Sequence, residues 1–398
     1  MDKRRHLTLA SALLAATFLS VPAMGPASAQ DKTGTVKIGL NESLSGNFQA
    51  VGLPPAAAVR MAVKEINEAG GFVVGDTRYT FELIETDNQS QPASAMAGIT
   101  KLVEDDGVKF VFGPTQSALA IQSAEITQPA EVIQFSAATL WQSTGLLSDP
   151  SKPLLFGTQQ PSADIVRFEV AALKEVGAKK VVLLTQDDET SKSIFPSLLP
   201  QLQEAGIAVE TVLFPTDTND LASYVTRAKA AAPDTIFFFW PQARVNEVLR
   251  PVIDLKAAEN FGGRQLSPNA ALSTATGGAI PITFFSSYAS PNFDFPPSEK
   301  IAAYRERLLA FEPAVGGAFG SFSFWGYDFV PMLAAAMKQA GTVDDTKAIA
   351  AELNAMTYDG VIGKICFGKE MRTARSDGGL VFVRDGKIDS RVFPSVCE

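Results

Sequence analysis

Two short segments carry hydroxyl-bearing and small side chains in a pattern suited to holding an anion. They are Gly113-Pro114-Thr115-Gln116-Ser117 and Ser136-Ala137-Ala138-Thr139-Leu140-Trp141. Each follows a short apolar run that reads as a buried strand, and the first opens directly onto a helical pattern. The Ser117 hydroxyl, with Gln116 beside it, therefore stands near the first backbone N–H groups of a helix, where unpaired amides and the helix dipole attract a carboxylate or phosphate. The competing job for a serine at that position is to cap the helix. If the two segments leave neighbouring strands they converge on one point, which favours an anion site over either segment alone. Neither is a glycine-rich phosphate loop of the Walker type, and GxGxxG is absent, so a nucleotide is not indicated. Phe48, Trp141 and Trp240 sit in or beside loops that follow strands, where aromatic rings wall a pocket for an apolar ligand body or simply join the core. Asp187-Asp188-Glu189 offers charge to a cationic group, or forms a solvated acidic loop.

Residues 1–29 read as a secretion signal, because Lys3, Arg4 and Arg5 precede an apolar run from Leu7 to Met24 that leads to Ala27-Ser28-Ala29. Those small residues suit a signal peptidase cutting before Gln30. An uncleaved membrane anchor is the alternative, but Ser11, Thr17, Ser20 and Pro22 interrupt the run, which falls short of about 20 strongly apolar residues. No Cys follows it, so a lipid anchor has no attachment point.

Cleavage removes Asp2, Lys3, Arg4 and Arg5 from the 34 basic and 43 acidic side chains, leaving 31 and 42 and a formal charge of −11. Such a surface argues against nucleic acid or anionic lipid as a partner. His6, the single histidine, goes with the leader. The mature chain is then without a His general base, a Ser-His-Asp triad or a His-ligated metal, and no metal or cofactor is expected. An enzyme would have to rest on Asp, Glu or Lys, and no close carboxylate pair stands out. Cys366 and Cys397 survive maturation, and an oxidising compartment makes a disulfide the default reading. Two buried free thiols are the alternative.

The elements that would position these residues form two α/β runs. In the first, strand Val36–Leu40 leads through a polar turn to a helix opened by Pro54-Pro55 and ended by Gly70-Gly71, with Val59, Ala62, Val63 and Ile66 at helical spacing. Strand Tyr79–Glu85, helix Ala93–Asp105, strand Val108–Phe112, helix Ser117–Ile126 and strand Val132–Phe135 continue it. The second has helix Ser162–Val176, strand Val181–Thr185, helix Ser191–Ala205, strand Ala208–Phe214, helix Leu221–Ala231 and strand Thr235–Trp240. Strict alternation predicts parallel sheets covered on both faces, hence two doubly wound lobes, as a mature chain of 369 residues also suggests. The Ser-, Pro- and aromatic-rich stretch Phe284–Pro297 reads as a crossing between lobes. Helices Glu299–Phe311, Asp328–Ala340 and Ala348–Met356 follow, then strands Gly379–Arg384 and Lys387–Val392 around an Asp385-Gly386 turn. In open α/β sheets ligands bind outside the carboxyl ends of strands, which is where the loops above lie.

The chain resembles the type I periplasmic binding proteins of ABC transporters, in the branched-chain amino acid group. The matching segments are Val36-Lys37-Ile38-Gly39 with Leu44-Ser45-Gly46, Glu65-Ile66-Asn67-Glu68-Ala69-Gly70-Gly71, Gly113-Pro114, Ser136-Ala137-Ala138-Thr139, and Tyr327-Asp328 before a helix. The resemblance implies two lobes joined by three crossings, a Venus-flytrap that shuts on a small molecule, here 30–158 plus 285–358 and 159–284 plus 359–398. It implies a periplasmic monomer serving an inner-membrane ABC permease, with a sensory module for a membrane receptor as the alternative. In amino-acid-binding members the positions matching Ser117, Ala137 and Thr139 hold the substrate carboxylate. The family aromatics match Val51 and Thr190, where this chain has none, and the acid for the substrate ammonium falls near Thr276, where Ala275-Thr276-Gly277-Gly278 offers no carboxylate. A buried, unpaired ammonium costs several kcal/mol. The expected cargo is therefore a small carboxylate with an apolar or aromatic body, ahead of a branched-chain amino acid or amide.

Overall fold

A computed structural model describes residues 32–138, 144–192, 194–239, 244–264, 284–286, 293–316, 320–368, 370–384 and 387–397. The first sheet is made of β1 (Lys32–Glu42), β2 (Phe72–Val74), β3 (Thr77–Asp87), β4 (Phe110–Phe112), β5 (Ile133–Ser136) and β6 (Leu155–Gly157), in the order β2-β3-β1-β4-β5-β6. Only the β2–β3 hairpin is antiparallel. The second sheet contains β7 (Lys180–Gln186), β8 (Ala208–Phe214), β9 (Thr235–Phe238), β10 (Asn260–Arg264) and β11 (Phe284–Ser286), all parallel. After a small antiparallel ribbon, β12 (Thr357–Gly360), β13 (Gly363–Phe367) and β14 (Ala374–Ser376), the chain adds β15 (Gly378–Arg384) and β16 (Lys387–Phe393) to the edge of the second sheet. Its order is β16-β15-β11-β10-β9-β7-β8.

Buried Val36, Ile38 and Leu40 of β1 and Phe110, Phe112 and Phe135 of β4 and β5 meet two long helices, Gln49–Glu68 and Ser323–Ala340. The helices approach closely because Gly326 has no side chain: a Cβ there would lie 2.2 Å from the Pro55 carbonyl oxygen. The opposite face of the sheet is covered by Pro92–Thr100 and Ser117–Thr127, with Ile99, Leu102, Ala120 and Ala124 buried. The second sheet is likewise packed on both faces, around Val182, Leu184 and Phe238 on one side and Leu183, Phe237 and Phe382 on the other.

Several elements differ from expectation. Pro54-Pro55 do not open the first helix; it starts at Gln49 and carries both prolines buried inside it. Their missing N–H groups cost intrahelical bonds, but the turn before them is held from outside, since Phe48 N–H donates to Ser90 Oγ at 3.0 Å. The helix expected over Ala93–Asp105 turns π-helical at Lys101–Asp105. Part of the expected crossing, Phe284–Ser286, is a strand inside the second sheet. The helix Val245–Leu255, strand β10 and the β12–β14 ribbon have no counterpart in the sequence reading.

The chain passes from the first sheet to the second after β6, returns after β11, and passes over again after β14. The first and third passages are stitched together: Gly157 N–H donates to Arg372 O at 2.8 Å, Gln160 Nε2 to Ser376 Oγ at 2.7 Å, and Thr373 Oγ1 to Gln159 O. Val361, Ile362, Ile365, Phe367 and Ala374, around the third passage, pack with the first core. Cys366 of β13 and Cys397 near the chain end are joined in a disulfide, with Cα atoms 5.7 Å apart.

Candidate functional site

Adjacent parallel strands β4 and β5 release the two candidate loops side by side from the carboxyl edge of the first sheet. Gly113 begins the first loop with φ +91°, and a Cβ there would lie 2.2 Å from Asn41 O, so both its conformation and its surroundings demand glycine. Its N–H donates to Phe135 O at 2.8 Å, and the following Gly113–Pro114 bond is cis. Ser136 Oγ then ties one loop to the other, donating to Pro114 O at 2.6 Å and accepting from Ala138 N–H at 3.0 Å. Beneath them the buried Gln134 amide donates to Gly113 O (2.9 Å) and Ser123 Oγ (2.7 Å) while accepting from Thr127 Oγ1 (2.7 Å).

On this base stands the Ser117–Thr127 helix. Its N-cap position is Gln116, extended at ψ 118°, and no side chain caps it there. Ser117 is thus the first helical residue and does not occupy the cap position, the competing role the sequence offered it. Ser117 and Gln116 are half-buried and Ala137 is buried. Gln116 Oε1 is buried with no hydrogen-bond partner among the described residues. Thr139 and Trp141 lie outside the described residues.

A residue that sequence reasoning missed sits directly under this loop. Glu42, the last residue of β1, is completely buried, and its Oε1 accepts from Thr115 Oγ1 at 2.7 Å. Burial pushes its carboxyl up to about 7, with hydrogen bonds from Thr115 and Ser43 opposing. The neighbouring Ser43–Gly46 turn is fixed by Asp87, which accepts from Leu44 N–H, Ser45 N–H and Ser45 Oγ at 3.0, 3.2 and 2.6 Å. Burial of Asp87 opposes its ionisation, but these bonds and one from Gln89 N–H together outweigh it and hold the carboxyl below its usual range. Phe48 follows this turn and is exposed; Val51, one turn into the helix, is half-buried.

At the carboxyl edge of the second sheet, the Asp187 carboxylate pairs with Lys192 at 2.5 Å and Asp188 Oδ1 accepts from Ser191 N–H at 2.6 Å. Both acids are thus engaged locally. Thr190 falls in the short helical turn Glu189–Lys192, and Trp240 and Thr276 lie outside the described residues. A second unforeseen group ends β10: Arg264 is buried against Glu169, with its guanidinium 4.4 Å from the centre of the Phe239 ring.

The arrangement is a pair of sheets joined by three passages, the first sheet ending two adjacent parallel strands in hydroxyl- and amide-bearing loops. The family model for periplasmic binding proteins matches residues 35–387. The chain belongs to that family. Its members are solute-binding components of transporters and not enzymes.

This periplasmic binding protein is 28% identical over 387 residues to the Leu/Ile/Val-binding protein BraC3 of Rhizobium johnstonii, an alignment covering 94% of this chain and 98% of the relative. Among solved structures it resembles the branched-chain amino acid transporter substrate-binding protein of Streptococcus pneumoniae in complex with isoleucine, with a TM-score of 0.68 and 22% identity over 91% of this chain and 100% of that one. It resembles equally an ABC transporter solute-binding protein of R. palustris in complex with benzoate, with a TM-score of 0.69 and 16% identity over 92% and 98% of the two chains. At such identities the two structures speak for the type I fold. Among the described residues no helix is long and apolar enough to cross a membrane.

Proposed function

We propose that this periplasmic binding protein captures a small carboxylate with an apolar or aromatic body between its lobes and presents it to an inner-membrane ABC permease. The observation that carries the reading is the Ser136 Oγ to Pro114 O bond of 2.6 Å, which fixes two hydroxyl-rich loops side by side at one sheet edge. Ser117, Ala137 and Thr139 hold the carboxylate in this proposal. Gln116, Phe48, Trp141, Thr190, Trp240 and Thr276 line the rest of the cleft. We read the lobes as 30–158 plus 287–376 and 159–286 plus 377–398, shifted from the bounds expected from sequence because β11 pairs within the second sheet and the β12–β14 ribbon packs with the first core. They close about the stitched passages near Gln160 and Ser376, and the closed state is favoured by contacts only it makes. The mature protein, cut before Gln30, works as a periplasmic monomer and binds no nucleic acid. The benzoate-bound relative of like fold supports an aromatic acid as cargo.

A branched-chain amino acid is the second reading, favoured by the relative named a Leu/Ile/Val-binding protein. A thermal-shift screen separates the two, because a ligand at a hundred times its Kd adds about 2.7 kcal/mol to stability. Stabilisation by benzoate or 4-hydroxybenzoate is expected. Stabilisation by leucine or isoleucine, with no response to aromatic or aliphatic acids, would overturn the proposal.

A further inference from the structure

Glu42 is a fully buried carboxyl at the end of β1, beneath the loop assigned to the ligand carboxylate. Its Oε1 lies 2.7 Å from Thr115 Oγ1, two residues before Ser117, and would lie 2.8 Å from a Cβ on Gly113. Among the described residues, the elements beside it present neutral groups save one. Its own strand supplies Asn41 and Ser43, the β4 loop Gly113 and Thr115, and the β5 end Ser136, which bonds Pro114 O. The end of β3 brings Asn88, whose N–H donates to Glu42 O, and Asp87, the one titratable side chain in this set, already occupied by the Leu44–Ser45 turn. Among the described residues no cation is paired with Glu42.

We propose that Glu42 is the specificity-determining residue for cargo charge: it takes up one proton from solvent when an anionic ligand settles on the Thr115–Ser117 loop, and disfavours that ligand when ionised. The inference rests on the carboxylate reading above. The physics is mutual repulsion in a poorly solvated site, where two carboxylates sharing one loop do not both stay charged. Because burial already brings Glu42 to about 7, little work is needed to protonate it near neutral pH. Once it is ionised, an uncharged amide of the same shape meets no such repulsion. Glu42 acts through Thr115 and is a positioning residue in this sense; its signature is a pH profile.

The test measures the Kd of benzoate by titration calorimetry between pH 6 and 8.5, a range in which benzoate itself stays ionised. The wild type is expected to lose about thirtyfold in affinity, the consequence of one proton taken up by a group titrating near 7. Glu42→Gln should bind at every pH within about twofold of the wild type at pH 6, by the same linkage. Thr115→Val removes a hydrogen bond that favours the ionised carboxyl, so it should move the wild-type midpoint to higher pH; this variant and proton uptake by the wild type in two buffers decide the matter if Glu42→Gln fails to fold. Benzoate binding with a flat profile, with the same slope in Glu42→Gln, or with an unmoved midpoint in Thr115→Val overturns the role of Glu42 and leaves the carboxylate reading standing. No binding of benzoate or other aromatic acids at any pH overturns both.

Discussion

A single hydroxyl at the head of a helix is modest as a ligand contact until its partners are fixed. Ser117 acquires its setting from Gln134, Ser136 and Gly113, whose bonds hold the loop in one shape before any ligand arrives. Hydrogen bonds to a charged group contribute about 1.5–3 kcal/mol each. Joint replacement of Ser117 and Thr139 by alanine should therefore weaken binding of a carboxylate cargo by roughly tenfold or more, as read by calorimetry. Affinity equal to the wild type would move the carboxylate to another part of the cleft. The placement of Ser117 and Ala137 beside each other at the sheet edge was legible because both follow apolar strands. Glu42 was not, because a polar Asn-Glu-Ser run after Leu40 looks like a solvated turn. The strand instead runs on to Glu42, and the cost of burying these polar groups is met by Thr86 for Asn41, Asn88 for Ser43 and Thr115 for Glu42. Partners that far along the chain cannot be read from local periodicity.

Among the elements, the contact between helices Gln49–Glu68 and Ser323–Ala340 depends on one absent side chain. Gly326→Ala would place a methyl group 2.2 Å from Pro55 O, against backbone with little freedom to retreat. Overpacking of this kind costs about 1–3 kcal/mol, and denaturant unfolding should show a lowered midpoint with the slope unchanged. The alternation of strands and helices through residue 240 was plain from apolar spacing, and every strand read there exists. What escaped were elements with weak local signals. Strand β10, Asn260–Arg264, has two glycines in five residues, and the β12–β14 ribbon has strands of four, five and three residues. Both are strands because of what they pair with. The start of the first helix was misplaced for the opposite reason: Pro54-Pro55 carry a strong local signal that packing overrides.

For the molecule as a whole, buried carboxyls with raised folded values shape the response to pH, and Glu169 and Asp164 share this direction with Glu42 and Asp328. Glu42 is brought to about 7 by burial, and so is Asp328, which accepts Val361 N–H at 2.9 and 3.0 Å with both oxygens and holds the β12–β13 turn to the Ser323–Ala340 helix. Both folded values lie above the ordinary ones of 4.5 and 3.8. Their contribution to stability is full below those ordinary values and is lost as pH rises through about 7. Between pH 5.5 and 8 each should remove about 2 kcal/mol, so the unliganded protein is expected to melt at a higher temperature at pH 5.5 than at pH 8. Scanning calorimetry across that range checks it, and Asp328→Asn should flatten the dependence. The Cys366–Cys397 bond spans 31 residues. Loop entropy assigns such a link about 3–4 kcal/mol, a loss that a Cys366→Ser, Cys397→Ser protein should show in denaturant.

The three passages between sheets also set an order of events for a nascent chain. Strands β1 to β6 emerge first, yet the rings of Phe112, Phe135 and Phe156 pack on Phe329 and Phe367, which lie beyond the entire run β7–β11. Strand β11 in turn waits for β15, near the very end, to cover its edge. Neither sheet has its full set of strands and covering side chains until almost all of the polypeptide has been delivered. Half-made sheets of this kind, with open edges and uncovered rings, are the stage at which chaperones and proteases have most to grip.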